Sequence, residues 1–171
     1  MTTRLLLCFM VAWLTTIGAF AQRGQDFASR FMQECKGDTA VHCVTVSPKM
    51  MEQLTRQSGT NRNEHIVQAL EKLKSARIIT ASVHGEGYYQ MAENLLKKNS
   101  QRFQHDRSYH GEHTYGAFYS RKLRNGQTVE LIMIHANTKA RNTVIINLTG
   151  DIDQEFINSL TKSWSGRTAK L

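Results

Sequence analysis

Beyond residue 21 the chain has no second apolar run of the ~20 residues a spanning helix needs, which excludes a multi-span helical membrane protein. It has no internal repeat and no low-complexity segment, so repeat arrays and compositionally biased tracts are excluded as well. No serine elbow, glycine-rich phosphate loop or zinc-protease helix motif occurs. With those motifs go the reactions they announce: the sequence assigns no catalytic residue and no cofactor. Cysteine is scarce, at Cys8, Cys35 and Cys43 only, and proline occurs once, at Pro48.

What is present begins with an address. Arg4 gives a short basic start, Leu5 to Ala12 an apolar core, and Ala19, Phe20 and Ala21 the small-x-small pattern of signal peptidase. The expected leader is therefore 1–21, cleaved after Ala21, leaving 22–171 as one domain ordered over about 26–164. Thr15, Thr16 and Gly18 break the apolar stretch, and Cys8 lies inside it rather than after the cleavage point, so neither a membrane anchor nor a lipid anchor is expected. The expected location is periplasmic or secreted.

Lys and Arg number 22 against 14 Asp and Glu. Loss of Arg4 leaves a net charge of about +7, which favours polyanionic partners. Export turns that preference away from nucleic acid and toward envelope polyanions or an acidic protein.

Helical spacing of Phe27, Phe31, Met32 and Cys35 leads into the β-rich run Val41 to Val46, with a turn at Lys36 to Ala40. Cys35 and Cys43 flank that turn symmetrically, a spacing compatible with either a disulfide or two separate buried thiols. Ser47 and Pro48 read as an N-cap and first helical residue. A polar loop follows at 56–63. Ile66, Val67, Leu70 and Leu73 form an amphipathic helix ending near Ser75, and Ile78 to Val83 a strand. Tyr88, Met91, Ala92, Leu95 and Leu96 mark another helix.

In the last third, Asn125 and Gly126 predict a type I′ turn pairing Tyr115 to Leu123 with Thr128 to His135. The unbroken run Leu131 to Ile134 implies a strand covered on both faces. A strand at Thr143 to Leu148 ends at Gly150, and Asp151 with Gln154 forms a capping box for a last helix carrying Phe156, Ile157 and Leu160. After Trp164 a polar, frayed tail is expected. The expected fold is α+β: a mixed, mostly antiparallel five-stranded sheet with a C-terminal three-stranded meander and helices packed on it.

The Phe27 to Phe31 helix, "VTVSPKMMEQL" at Val44 to Leu54, "LEKLKSARIIT" at Leu70 to Thr80 and "VIINLTGDIDQEFINSL" at Val144 to Leu160 together resemble the secreted bacterial family DUF4252, a domain of unknown function found largely among Bacteroidetes. The resemblance implies a small Gram-negative envelope protein. It implies no reaction, cofactor or site residue to carry over.

The reactive side chains concentrate in "HDRSYHGEH", where His105, His110 and His113 are candidate metal ligands provided that the segment is irregular around Gly111. A solvated polar loop is the plainer reading of the same stretch. Lys97, Lys98, Arg102, Arg107, Arg121, Lys122 and Arg124, interleaved with Phe103, Tyr109, Tyr115 and Tyr119, form a candidate surface for acidic glycans or an acidic partner. Cys35 or Cys43 with His42 makes a poor nucleophilic pair, because adjacent strand residues face opposite ways. Asp38, Thr39 and Ala40 match the O-glycosylation tripeptide of exported Bacteroidetes proteins, at Thr39. The N-glycan pattern at Asn147 to Thr149 falls on a strand expected to be buried. The leading expectation is a non-catalytic binding or structural module, ahead of a metal-binding protein and then a hydrolase.

Overall fold

The computed structural model describes residues 25–57 and 64–168. The expected leader and most of the expected loop at 56–63 lie outside them. Among the described residues five helices and six strands follow one another as α1 (Phe27–Glu34), β1 (Val41–Val46), α2 (Pro48–Gln57), α3 (Glu64–Glu71), β2 (Leu73–Ala81), α4 (Gly85–Lys98), β3 (Gln104–His110), β4 (Thr114–Lys122), β5 (Thr128–Asn137), β6 (Asn142–Ile152) and α5 (Gln154–Thr168). Every pairing is antiparallel, in the order β1-β2-β6-β5-β4-β3. The expected α+β class holds, but the sheet has six strands rather than five and no parallel pair, and its meander takes in four strands.

Two apolar layers sandwich the sheet. Phe27, Phe31, Tyr89, Ala92 and Leu96 from α1 and α4 pack on Ile79, Ile132, Ile134 and Ile145. Met51, Ala69, Phe156 and Ile157 from α2, α3 and α5 pack on Ala76, Leu131 and Leu148 on the other face. Strand β5 supplies Leu131 and Ile132 to opposite layers, which is why its run of apolar residues does not alternate.

Local signals set the helix starts. Asp26 caps α1 by accepting from Ser29 N–H at 2.8 Å, and Ser47 Oγ accepts from Met50 N–H at 3.3 Å ahead of Pro48.

Local expectations are corrected at the ends of α3, β6 and α5. Helix α3 stops at Glu71, and Leu73 opens a strand, because Gly150 brings β6 to within 2.6 Å of Leu73 Cα for a hypothetical Cβ. Strand β6 runs past Gly150 to Ile152, so the helix cap is Asp153, which accepts from Phe156 N–H at 2.8 Å. Helix α5 itself continues to Thr168 rather than fraying after Trp164.

The Asn125–Gly126 turn is a three-residue loop. Leu123 pairs with Gln127, and Gly126 alone has positive φ, the geometry of a type I turn with a glycine bulge rather than type I′. The missed strand, β3, is exposed at every residue but Tyr109, so it carries no hydrophobic alternation; pairing with β4 makes it a strand.

Candidate functional site

Two left-handed residues meet at one place. Among the described residues His84 and Arg141 are the two non-glycine positions with positive φ, at 55° and 54°. Each costs about 1–2 kcal/mol relative to the right-handed region. Both line one cleft of about 470 Å³ at the N-terminus of α4, together with Gly85, Glu86, Gly87, Tyr115, Ala136, Asn137 and Thr138.

The packing beneath the cleft explains its shape. Gly85 N–H donates to Arg141 C=O at 3.0 Å, and Thr143 Oγ1 donates to Gly85 C=O at 2.7 Å. A Cβ on Gly85 would stand 2.4 Å from the Asn142 carbonyl carbon, so only glycine lets α4 dock on the β5–β6 turn. That turn is held from the other side, where Thr138 N–H donates to His113 C=O at 2.8 Å and Asn137 Oδ1 accepts from Ala140 N–H at 2.8 Å.

Tyr115 forms the aromatic wall. Its ring meets Tyr89 edge-on with centroids 4.6 Å apart and stacks against His110 at 6.3 Å and 16°. Burial first, and then the Glu86 and Glu93 carboxylates, raise its phenol pKa, so the hydroxyl stays a donor at neutral pH. The cleft therefore offers a guanidinium, an imidazole, a carboxylate, an amide, two hydroxyls and a ring face.

The histidine segment meets this place only where His110 stacks on Tyr115. A bulge at Asp106 puts His105 opposite Tyr119 and His110 opposite Tyr115, on the α4 side of the sheet. Those partners stand four positions apart on β4, about 13 Å along the strand. His105 contacts Ser108 Oγ at 2.8 Å and the Tyr119 ring, and His113 lies 3.7 Å from Glu112. No group of three His, Cys, Asp or Glu among the described residues is placed to hold a metal ion, and His105, His110 and His113 are not brought together as one set.

The basic residues divide in two. Arg102 and Arg121 turn inward to Glu130, which is fully buried, at 3.9 and 2.8 Å. Burial lowers the pKa of Arg102. Lys97 pairs with Glu93 at 2.9 Å, and Arg107 donates to Thr161 Oγ1 at 3.4 Å. Lys98, Lys122 and Arg124 are exposed, the last two on the β4–β5 hairpin. Of the interleaved aromatics, Phe103, Tyr109 and Tyr119 are buried.

Cys35 and Cys43 are free thiols, Cys35 lying 3.8 Å from Met91 Sδ. Burial raises both pKa values, which keeps them protonated and weakly nucleophilic. Thr39 is exposed on a turn that Asp38 braces by accepting from Ala40 N–H at 2.9 Å. Asn147 is fully buried with its amide engaged by Ala28 and Glu130, so its N-glycan pattern is unreachable. The sequence reading missed His84, Glu86, Asn137, Thr138 and Arg141. Its one available signal was the glycine pair Gly85 and Gly87.

No helix among the described residues is long and apolar enough to cross a membrane. No curated protein matches the chain. Among solved structures it is similar to the protein of unknown function PA94 from Pseudomonas aeruginosa, at 10% identity and a TM-score of 0.36 over 78% of this chain and 83% of that one. It is also similar to the Saccharomyces cerevisiae Ran-binding protein Mog1p, at 14% identity and a TM-score of 0.28 over 52% of this chain and 56% of that one. The model of the family described as Domain of unknown function (DUF4252) matches residues 35–160, and the chain belongs to that family.

Proposed function

We propose that this protein is an exported, non-catalytic binding module that takes an acidic sugar unit of an envelope polyanion in the cleft between α4 and the β5–β6 turn. The observation that carries this reading is the convergence of His84 and Arg141, each held at unfavourable φ, on the same cleft. Strain of this kind persists where the surrounding structure holds it and clusters at ligand sites. The side chains suit the ligand. Arg141 and His84 meet an acidic group, Glu86 and Asn137 accept from hydroxyls, and the Tyr115 ring offers an apolar face. Export rests on the leader pattern at 1–21, and the net charge of about +7 left after loss of Arg4 favours polyanions.

Heparin-derived oligosaccharides serve as the sulfated probe. Arg141→Gly and His84→Gly should each weaken binding about tenfold while leaving stability equal or higher, because glycine accepts the left-handed backbone. Charge reversal of Lys122 and Arg124 should weaken it less than threefold. The opposite pattern would move the binding surface to the hairpin, and salt-insensitive or absent binding would reject the polyanion.

A further inference from the structure

On the opposite face of the sheet from that cleft, between the strands and α2, α3 and α5, lies a second cavity of about 260 Å³. The described residues that line it are all apolar, among them Met51, Ile78, Met133, Ile146, Phe156 and Leu160. Nothing on these walls can donate or accept a strong hydrogen bond, so water gains no partners there. The pocket opens to solvent, and its size and apolar lining suit a hydrocarbon chain.

The apolar surface also continues outward. Val44 is 58% exposed and pairs with Ile78, a wall residue, across the β1–β2 ladder, so the two share a face of the sheet. Met50 is 47% exposed and precedes the wall residue Met51. An apolar lip at the β1 edge thus leads into the cavity, a shape that fits a linear chain entering end-on and leaving its head in water. Lys49, exposed beside Met50, puts a cation next to this lip and suits an anionic head.

We infer that this cavity binds the tail of a single-chain fatty carboxylate, independently of the sugar cleft. The walls supply burial of methylenes and no polar recognition, so affinity follows chain length, by about fourfold for each added methylene until the chain outgrows the space.

The full chain is titrated calorimetrically with hexanoate, octanoate, decanoate, dodecanoate and tetradecanoate below their micelle concentrations, beside decanol and decylamine. A stepwise rise followed by a plateau, with decanoate tighter than decylamine, is the expected result. Ala76→Phe fills the cavity from β2 and should weaken decanoate at least tenfold without lowering Tm. Ile146→Ala enlarges it and should move the plateau to a longer chain, which keeps the test decisive if the filled variant misfolds. Affinity independent of chain length, absence of binding, or binding unchanged in both variants would overturn the inference, and a preference for decylamine would overturn the anionic head.

Discussion

The N–H of Phe27 donates to Glu130 Oε1 at 2.6 Å across 103 residues of sequence, so the first turn of α1 is anchored on a carboxylate at the centre of the sheet. Ala28 N–H donates to Asn147 Oδ1 at 2.9 Å beside it, and Asn147 Nδ2 donates back to Glu130 at 3.1 Å. Sheet side chains thus satisfy two backbone donors that a helix start leaves open.

Glu130 carries this anchor and neutralises Arg121 as well. Replacing it by glutamine removes the fully buried carboxylate and leaves the part-buried Arg121 guanidinium without its counter-charge, a loss of about 3 kcal/mol. Urea unfolding of Glu130→Gln at pH 7 checks the figure. A change below about 0.5 kcal/mol would show that water satisfies Arg121 equally well.

Gly116 is fixed by space. A Cβ there would lie 2.4 Å from the Tyr109 hydroxyl and 2.5 Å from Ile134 C=O. The second contact is backbone and cannot swing away. Gly116→Ala should therefore destabilise by about 2 kcal/mol, within the ordinary range for overpacking, read as a lower Tm with an unchanged far-UV spectrum.

Tyr109 hydroxyl and His135 Nδ1 lie 2.7 Å apart, and burial lowers the His135 pKa. On acidification the unfolded chain takes up the proton near pH 6.5, before the folded chain does. The stabilisation is therefore complete above that pH and lost as pH falls through the window down to the folded pKa. Unfolding midpoints of the parent and His135→Gln at pH 7.5 and 5 should converge at the lower pH. A gap that stays constant would assign His135 no linked proton.

Cys35 and Cys43 are protonated, partly or wholly buried thiols. Unfolding without reductant in the presence of iodoacetamide should label both, as read by peptide mapping. Unlabelled peptides joined to each other would contradict the free-thiol arrangement.

Much of this fold is legible locally. The bounds of β1, the Ser47–Pro48 helix start and the double-sided burial of β5 follow from side-chain type and spacing alone. Strand β3 escapes such reading because its neighbours and not its own residues make it a strand. The same limit applies to the bulge at Asp106, which decides that His105 and His110 share a face yet stand too far apart for one ion. The cleft is less legible still. His84 and Arg141 are 57 positions apart, and only the docking of α4 on the β5–β6 turn brings them together; Gly85, read as punctuation, is what permits that approach. Conversely, Arg102 and Arg121 look like surface charge in sequence, and the buried Glu130 claims both.

The central claim, that the cleft at the start of α4 seats the ligand, is tested most directly by backbone amide NMR during titration with a heparin-derived tetrasaccharide. Saturable shifts should concentrate at Gly85, Gly87, Tyr115, Asn137, Thr138 and Arg141. Shifts confined to Lys98, Lys122 and Arg124, or none at any residue, would contradict it.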